Sequence, residues 1–112
     1  MKAGDQAERI AASYLQRKGL ALVETNYRCR WGEIDLVLRD RDTIVFTEVK
    51  LRRSRSFGGT AYSVTPRKQA RIIAAARHYL AGKKEAPCRF DVVLLDRLEP
   101  PRIEWIRDAF SA

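Results

Sequence analysis

Apolar residues change their spacing several times along the chain, and each change marks an element. Ala7, Ile10, Ala11, Tyr14 and Leu15 share one stripe at helical spacing and Gly19 follows as a stop, so a first helix is expected over 5–18. Three strand-like runs follow, 21–28, 33–39 and 43–51, the last two joined by the turn-prone Arg39-Asp40-Arg41-Asp42. Residues 52–63 lack periodicity and contain Gly58-Gly59, which reads as a loop. Thr65-Pro66 then opens a second helix, Thr as N-cap and Pro at the first helical position, running to about 81. Its packed face carries Ile72, Ile73, Ala76, Tyr79 and Leu80, with Arg67, Arg71 and His78 opposite. Two further strands are expected at 88–95 and 103–107, separated by Glu99-Pro100-Pro101.

The order α-β-β-β-α-β-β predicts an α/β fold with a mixed central sheet flanked by helices, the second helix being the crossover that sets the third and fourth strands parallel. At 112 residues the whole of 1–112 fits one domain. No apolar run approaches the roughly 18 to 20 residues of a membrane helix, and no apolar leader opens the chain, so a cytoplasmic protein without membrane contact is expected. Cys29 and Cys88 form no paired motif and His78 is the single histidine, too few ligands for a four-ligand zinc site. Two such cysteines suit a reducing compartment as small buried thiols.

Charge is the first sign of a partner. The net charge is +8, yet residues 49–84 hold ten Lys or Arg and no Asp or Glu, while the remainder holds 12 basic and 14 acidic residues. A local one-sign field of this density attracts polyanions and binds them with counterion release, which points to nucleic acid.

Candidate chemistry lies in two neighbouring strands. In Gly32-Glu33-Ile34-Asp35-Leu36-Val37-Leu38, alternation places Ile34, Leu36 and Leu38 on one face and Glu33, Asp35 and Val37 on the other. In Phe46-Thr47-Glu48-Val49-Lys50 it sends Glu48 and Lys50 to one side and Val49 to the opposite one. Hairpin pairing brings Asp35 and Glu48 together, and side-by-side carboxylates need a shared proton or a hard cation. Mg²⁺ is the natural occupant, with Mn²⁺ as a substitute, and the adjacent Lys50 suits orientation of an attacking water in phosphodiester hydrolysis. The same three residues on a solvated sheet face would form ordinary cross-strand ion pairs.

Glu8 lies at the edge of the first helix's apolar stripe, either as a third acid at the rim of the sheet or as a surface residue. Gln69 falls within the packed arc of the second helix and must find partners, a catalytic group or a backbone carbonyl. His78, on the polar face, is expected to be exposed rather than catalytic, and Asp91, beside Arg89, to serve as a structural ion-pair or capping partner. Arg52, Arg53 and Arg55 follow directly on Lys50, and with Arg67 and Arg71 they suit phosphate contacts. Phe57 fits either a stacked base or a core anchor.

Taken together, Gly4-x-x-x-Glu8, Asn26-Tyr27-Arg28-Cys29-Arg30, Gly32-Glu33-Ile34-Asp35, Phe46-Thr47-Glu48-Val49-Lys50, Phe57-Gly58, Lys68-Gln69, Tyr79-Leu80, Arg89-Phe90-Asp91-Val92 and Ala109-Phe110 resemble the YraN family of small bacterial proteins. That family is similar to the PD-(D/E)XK nucleases and the archaeal-type Holliday-junction resolvases. The resemblance implies a restriction-endonuclease-like core in which Asp35, Glu48 and Lys50 are the motif residues and Glu8 matches the helical glutamate of the resolvase branch. It also implies a metal held by Asp35, Glu48 and the backbone carbonyl of Val49. Thr47 stands where valine is commoner. The expected activity is Mg²⁺-dependent endonucleolytic cleavage of DNA rather than RNA, including branched or junction DNA. The alternative is a non-catalytic nucleic-acid-binding or assembly protein on the same scaffold. Paired cuts at a junction would call for a homodimer.

Overall fold

The computed structural model describes residues 3–51 and 64–112. Seven elements follow in the expected order: α1 (Ala3–Arg17), β1 (Ala21–Cys29), β2 (Gly32–Asp40), β3 (Thr43–Leu51), α2 (Pro66–Leu80), β4 (Cys88–Leu98) and β5 (Pro101–Phe110). The five strands form one sheet in the order β1-β2-β3-β4-β5; β3 and β4 run parallel and every other pair is antiparallel. The mixed α/β fold read from the sequence is therefore the observed one. The last two strands are longer than expected. The ladder pairs Leu98 with Pro101, and a proline that cannot donate an amide is tolerated because β5 is an edge.

Each helix covers one face of the sheet. Against α1, Ala7, Ala11, Ala12 and Leu15 pack with Leu36, Leu38, Val45, Val93 and Leu95. Against α2, Ile72, Ala75, Ala76 and Tyr79 pack with Ile34, Val37, Phe46, Val92 and Leu94. Strand alternation explains the division in β4, where Val92 and Leu94 turn to α2 while Val93 and Leu95 turn to α1. Aromatic contacts under α2 cross the whole sheet. Tyr27 meets Tyr79 edge-on (5.1 Å between centroids), Tyr79 meets Phe46 (5.8 Å), Phe46 stacks on Phe90 (5.5 Å) and Phe90 on Phe110 (5.0 Å). Such contacts fix the curvature of a sheet by shape as well as by buried area.

Alternation fails in β2. Ile34 and Val37 both face α2, whereas Leu36 and Leu38 face α1. The expected grouping of Ile34 with Leu36 and Leu38, and of Val37 with the solvated acids, is thus overturned. The change of face falls where the neighbouring strand is also irregular: Asn26, between the pairs Thr25↔Leu36 and Tyr27↔Ile34 and so opposite Asp35, has φ 51°, a left-handed conformation that Asn tolerates better than most residues.

Asp91, fully buried, fastens the far edge. Its carboxylate accepts from Arg89 Nε (3.0 Å), Trp105 Nε1 (2.9 Å) and the Asp108 amide (2.9 Å), while Arg89 Nη1 also donates to Asp40 (3.0 Å). The structural role expected for Asp91 is the one it has. Both cysteines are free, as expected, and Cys29 is partly buried against the core; Cys88 departs from expectation, being exposed on the first residue of β4.

Thr47 is 1% exposed and its hydroxyl finds no hydrogen-bond partner among the described residues. An unsatisfied buried hydroxyl costs about 1 to 3 kcal/mol, so Thr47→Val, nearly isosteric, is expected to stabilise the fold by about 1 kcal/mol. Urea denaturation should show a higher midpoint with an unchanged slope; a lower midpoint would mean that the hydroxyl has a partner.

Candidate functional site

The β2–β3 backbone pairing runs from Asp40↔Thr43 to Leu36↔Thr47. Beyond that point a side chain takes over: Asp35 Oδ2 accepts the Val49 amide at 2.8 Å. A backbone donor that would otherwise be lost where the strands diverge is satisfied by a carboxylate, which fixes Asp35 against β3. Continuing the register places Glu48 opposite Asp35, and both are buried, at 8% and 9% exposure. The convergence expected of these two acids is present.

A third acid joins them. Glu8, on the second turn of α1, interacts electrostatically and by hydrogen bond with Asp35, and its carboxylate also accepts from the Asn26 side chain. Asp35 thus stands between Glu8 and Glu48. Burial, and then the charge of Asp35, raise Glu48 from an ordinary 4.5 to about 7. The same two causes, in the same order, raise Glu8 from 4.5 to about 7. Burial also raises Asp35, opposed by the Val49 amide. Three acids therefore compete for less than their full complement of charge near neutral pH.

One cation already answers part of this. Lys68, in the first turn of α2, places Nζ 3.2 Å from Glu48 Oε2. It also lowers the proton affinity of Asp35. The contact follows from the helix start: Thr65 caps α2 by accepting the Lys68 amide (3.2 Å), and Pro66 begins the helix, so the first turn and Lys68 with it are fixed over the sheet. Gln69, also partly buried, donates from Nε2 to the Val64 carbonyl at 2.8 Å, so the partner found is a backbone group and not an acid of the site. Lys50 lies two residues beyond Glu48 on β3 and is exposed.

Gly32 brings α2 close. A Cβ at this position would lie 2.6 Å from the Arg71 carbonyl oxygen, so only glycine lets the start of β2 pass beneath the helix. Arg67 and Arg71 are exposed on α2, on either side of Lys68 in sequence. Arg52, Arg53, Arg55 and Phe57 lie outside the described residues. His78 is exposed, as expected, and hydrogen-bonds the Tyr27 hydroxyl through Nδ1.

The donor set bears on a divalent cation. Among the described residues no three His, Cys, Asp or Glu side chains form a ready metal cluster. Magnesium does not require one, since it takes one or two carboxylates and keeps several waters. Asp35 and Glu48 supply two buried carboxyl groups, the charge of Asp35 raises the proton affinity of Glu48, and a cation between them would relieve that repulsion. The residues present fit such an ion, with Asp35, Glu48 and the Val49 carbonyl as candidate ligands.

Asn26 and Lys68 were not singled out by pattern. Asn26 had a signal, an Asn in mid-strand where β-propensity disfavours it. Lys68 had none in periodicity or charge, being one of many bases in a basic segment, although Lys68-Gln69 is among the motifs of the resemblance.

Comparison with known proteins gives a family without a named chemistry. The family described as "Uncharacterised protein family UPF0102" matches residues 7–95. Among similar proteins, a UPF0102 protein of Nitrosomonas europaea is 56% identical over 109 residues, covering 96% of this chain and 92% of its own length. One from Nitrosococcus oceani is 52% identical over 111 residues, covering 96% and 90%. One from Cupriavidus taiwanensis is 56% identical over 111 residues, covering 97% and 82%.

A raised carboxyl has a stability consequence. Folded Glu48 holds its proton more tightly than the unfolded chain does, so the metal-free protein loses stability as pH rises from 4.5 to about 7 and levels off above. Glu48→Gln removes that loss together with the Lys68 ion pair, and a net gain of about 1 kcal/mol is expected at pH 8 in chelator, shrinking towards zero near pH 4.5. Thermal denaturation across this range tests it, and an equal difference at both ends would show that Glu48 is not perturbed.

Proposed function

The chain belongs to the family UPF0102, and from the buried acid pair we propose that it is a metal-dependent endonuclease hydrolysing phosphodiester bonds of DNA, branched DNA included. The observation that carries this reading is Asp35, anchored by the Val49 amide and flanked by Glu8 and Glu48, beneath a helix whose first turns carry Arg67, Lys68 and Arg71. Buried acids facing a basic surface are what a phosphate needs in order to approach a site that is itself acidic.

Asp35 and Glu48, with the Val49 carbonyl, would hold a magnesium ion. When bound, that ion would supply Lewis-acid charge to a phosphate oxygen and lower the pKa of a water. The chain's own residues do the remainder. The Val49 amide keeps Asp35 oriented, so its free oxygen is presented without a search over rotamers. Glu8, with a pKa of about 7, is poised to take or give a proton at neutral pH. Lys50, exposed one alternation step past Glu48, can orient the attacking water or neutralise charge on the phosphate. Arg67 and Arg71 grip the flanking backbone, and Arg52, Arg53 and Arg55 continue the basic segment.

One observation favours a second reading. Lys68 already compensates Glu48, which is how a binding protein on a nuclease scaffold would hold its acids without metal. The two readings differ in what Lys68 does when a divalent ion is offered.

Labelled linear, single-stranded and four-way-junction DNA, incubated with Mg²⁺ or Mn²⁺, should be cut by the wild-type chain. Cutting should fall by at least about 100-fold in Asp35→Asn and in Glu48→Gln, with binding retained. Binding without cutting on every substrate would support the scaffold reading. Lys68→Met should tighten Mn²⁺ binding several-fold by calorimetry, because the competing ammonium is gone; unchanged affinity would mean that Glu48 is not a ligand.

A further inference from the structure

Among the described residues only two large apolar side chains are left exposed, Val23 at 48% and Trp31 at 53%. Val23 is the extra residue of a β1 irregularity, where Leu22 pairs with Leu38 and Glu24 already with Val37. Trp31 has no such explanation. It stands with Arg30 in the two-residue turn between β1 and β2, closed by the pair Cys29↔Gly32. A turn tip is normally given to small polar residues, and leaving a Trp 53% exposed forfeits much of its contribution to stability.

Two further observations bear on this tip. The Arg30 guanidinium lies over the Trp31 ring, 4.8 Å from its centre, so a cation and a π-face are offered together. Gly32, the next residue, is packed so tightly beneath the Arg71 carbonyl that a methyl group would not fit. The tip is thereby braced against α2, the helix that delivers Lys68 to Glu48. Four residues along β2 separate Trp31 from Asp35, about 13 Å at the rise of a strand. That span corresponds to about four nucleotides of a stacked strand at about 3.4 Å each.

We propose that the Arg30–Trp31 hairpin tip is a stacking platform for an unpaired base of the DNA strand that enters the acid site. This rests on the nuclease reading for the place of the scissile phosphate, and on the tip itself for the recognition. An aromatic face accepts any base, and the guanidinium beside it meets the neighbouring phosphate. A base within a duplex is already stacked on both sides, so the platform selects frayed ends, flaps and junction arms over continuous duplex. Arg28 nearby is engaged with Glu33 at 3.5 Å, which leaves Arg30 as the cation of the tip itself.

The test is a binding experiment in chelator, where no cleavage occurs. The chain has two tryptophans, Trp31 and Trp105, so emission can be assigned by variant. Titration with a short oligothymidylate should quench the wild-type chain and Trp105→Phe, and should not quench Trp31→Ala. Trp31→Ala should bind the oligonucleotide about 10-fold more weakly, within the range for loss of one stacked base, and a blunt duplex within two-fold of wild type. Trp31→Phe should recover most of the difference, and circular dichroism should match wild type throughout. Equal oligonucleotide binding by Trp31→Ala, or an equal loss on duplex, would overturn the proposal. So would a Trp31 emission shift with protein concentration alone, which would assign the ring to a second copy of the chain. Quenching that stands while Mg²⁺ gives no cleavage would remove the nuclease reading and leave the platform in place.

Discussion

Repulsion between carboxylates held out of water is the constraint around which the acidic end of this protein is arranged. Asp35, Glu48 and Glu8 come from a strand, its neighbour and a helix; burial raises the proton affinity of all three, and the charge of Asp35 raises that of Glu8 and Glu48 further. A fold selected for stability alone would disperse them. Here one amide, from Val49, and one ammonium, from Lys68, offset part of the cost, and the remainder is left as affinity for a proton or a cation. The sheet irregularity at Asn26 is part of the same arrangement. Asn26 lies opposite Asp35 in the register, and its side chain favours the charged form of Glu8.

The rest of the molecule holds this end in place. Two apolar layers on opposite faces of one sheet fix both helices, and the aromatic contacts from Tyr27 to Phe110 tie the sheet together under α2. At the far edge, the buried Asp91 closes the β5 irregularity through the Asp108 amide and Trp105. Polar groups are thus used twice in the interior, with opposite results. Asp91 is satisfied by three donors, one of them an arginine, and is structural. The acids near Asp35 each have a partner, the Val49 amide, the Lys68 ammonium or the Asn26 side chain, yet burial outweighs those partners and their proton affinity stays raised.

Element order was legible because it rests on periodicity, which backbone geometry imposes directly. The strand boundaries at 21, 43 and 88, and the Thr65-Pro66 helix start, coincide with those observed. The pairing of Asp35 with Glu48 was legible for the same reason, since register continues from a short hairpin. What strict alternation could not reveal was its own failure. The change of face between Ile34 and Leu36 leaves no mark in the residue pattern of β2 itself, and the left-handed Asn26 beside it lies one strand away. Lys68 was hidden differently: a surface-pattern lysine gains its role only when α2 crosses above β3. Gln69 was correctly placed on the inward side, and the structure decided between its two possible partners in favour of a carbonyl.

The irregular edges of the sheet have a consequence for the protein in crowded solution. β1 carries an additional residue at Val23, and β5 begins with a proline and carries a left-handed Asp108. A straight edge presents evenly spaced amides and carbonyls onto which a foreign strand can zip, and interrupting that spacing removes the template. Among the described residues both outer strands of the five-stranded sheet carry such interruptions, which works against fibrous growth by continuation of the sheet.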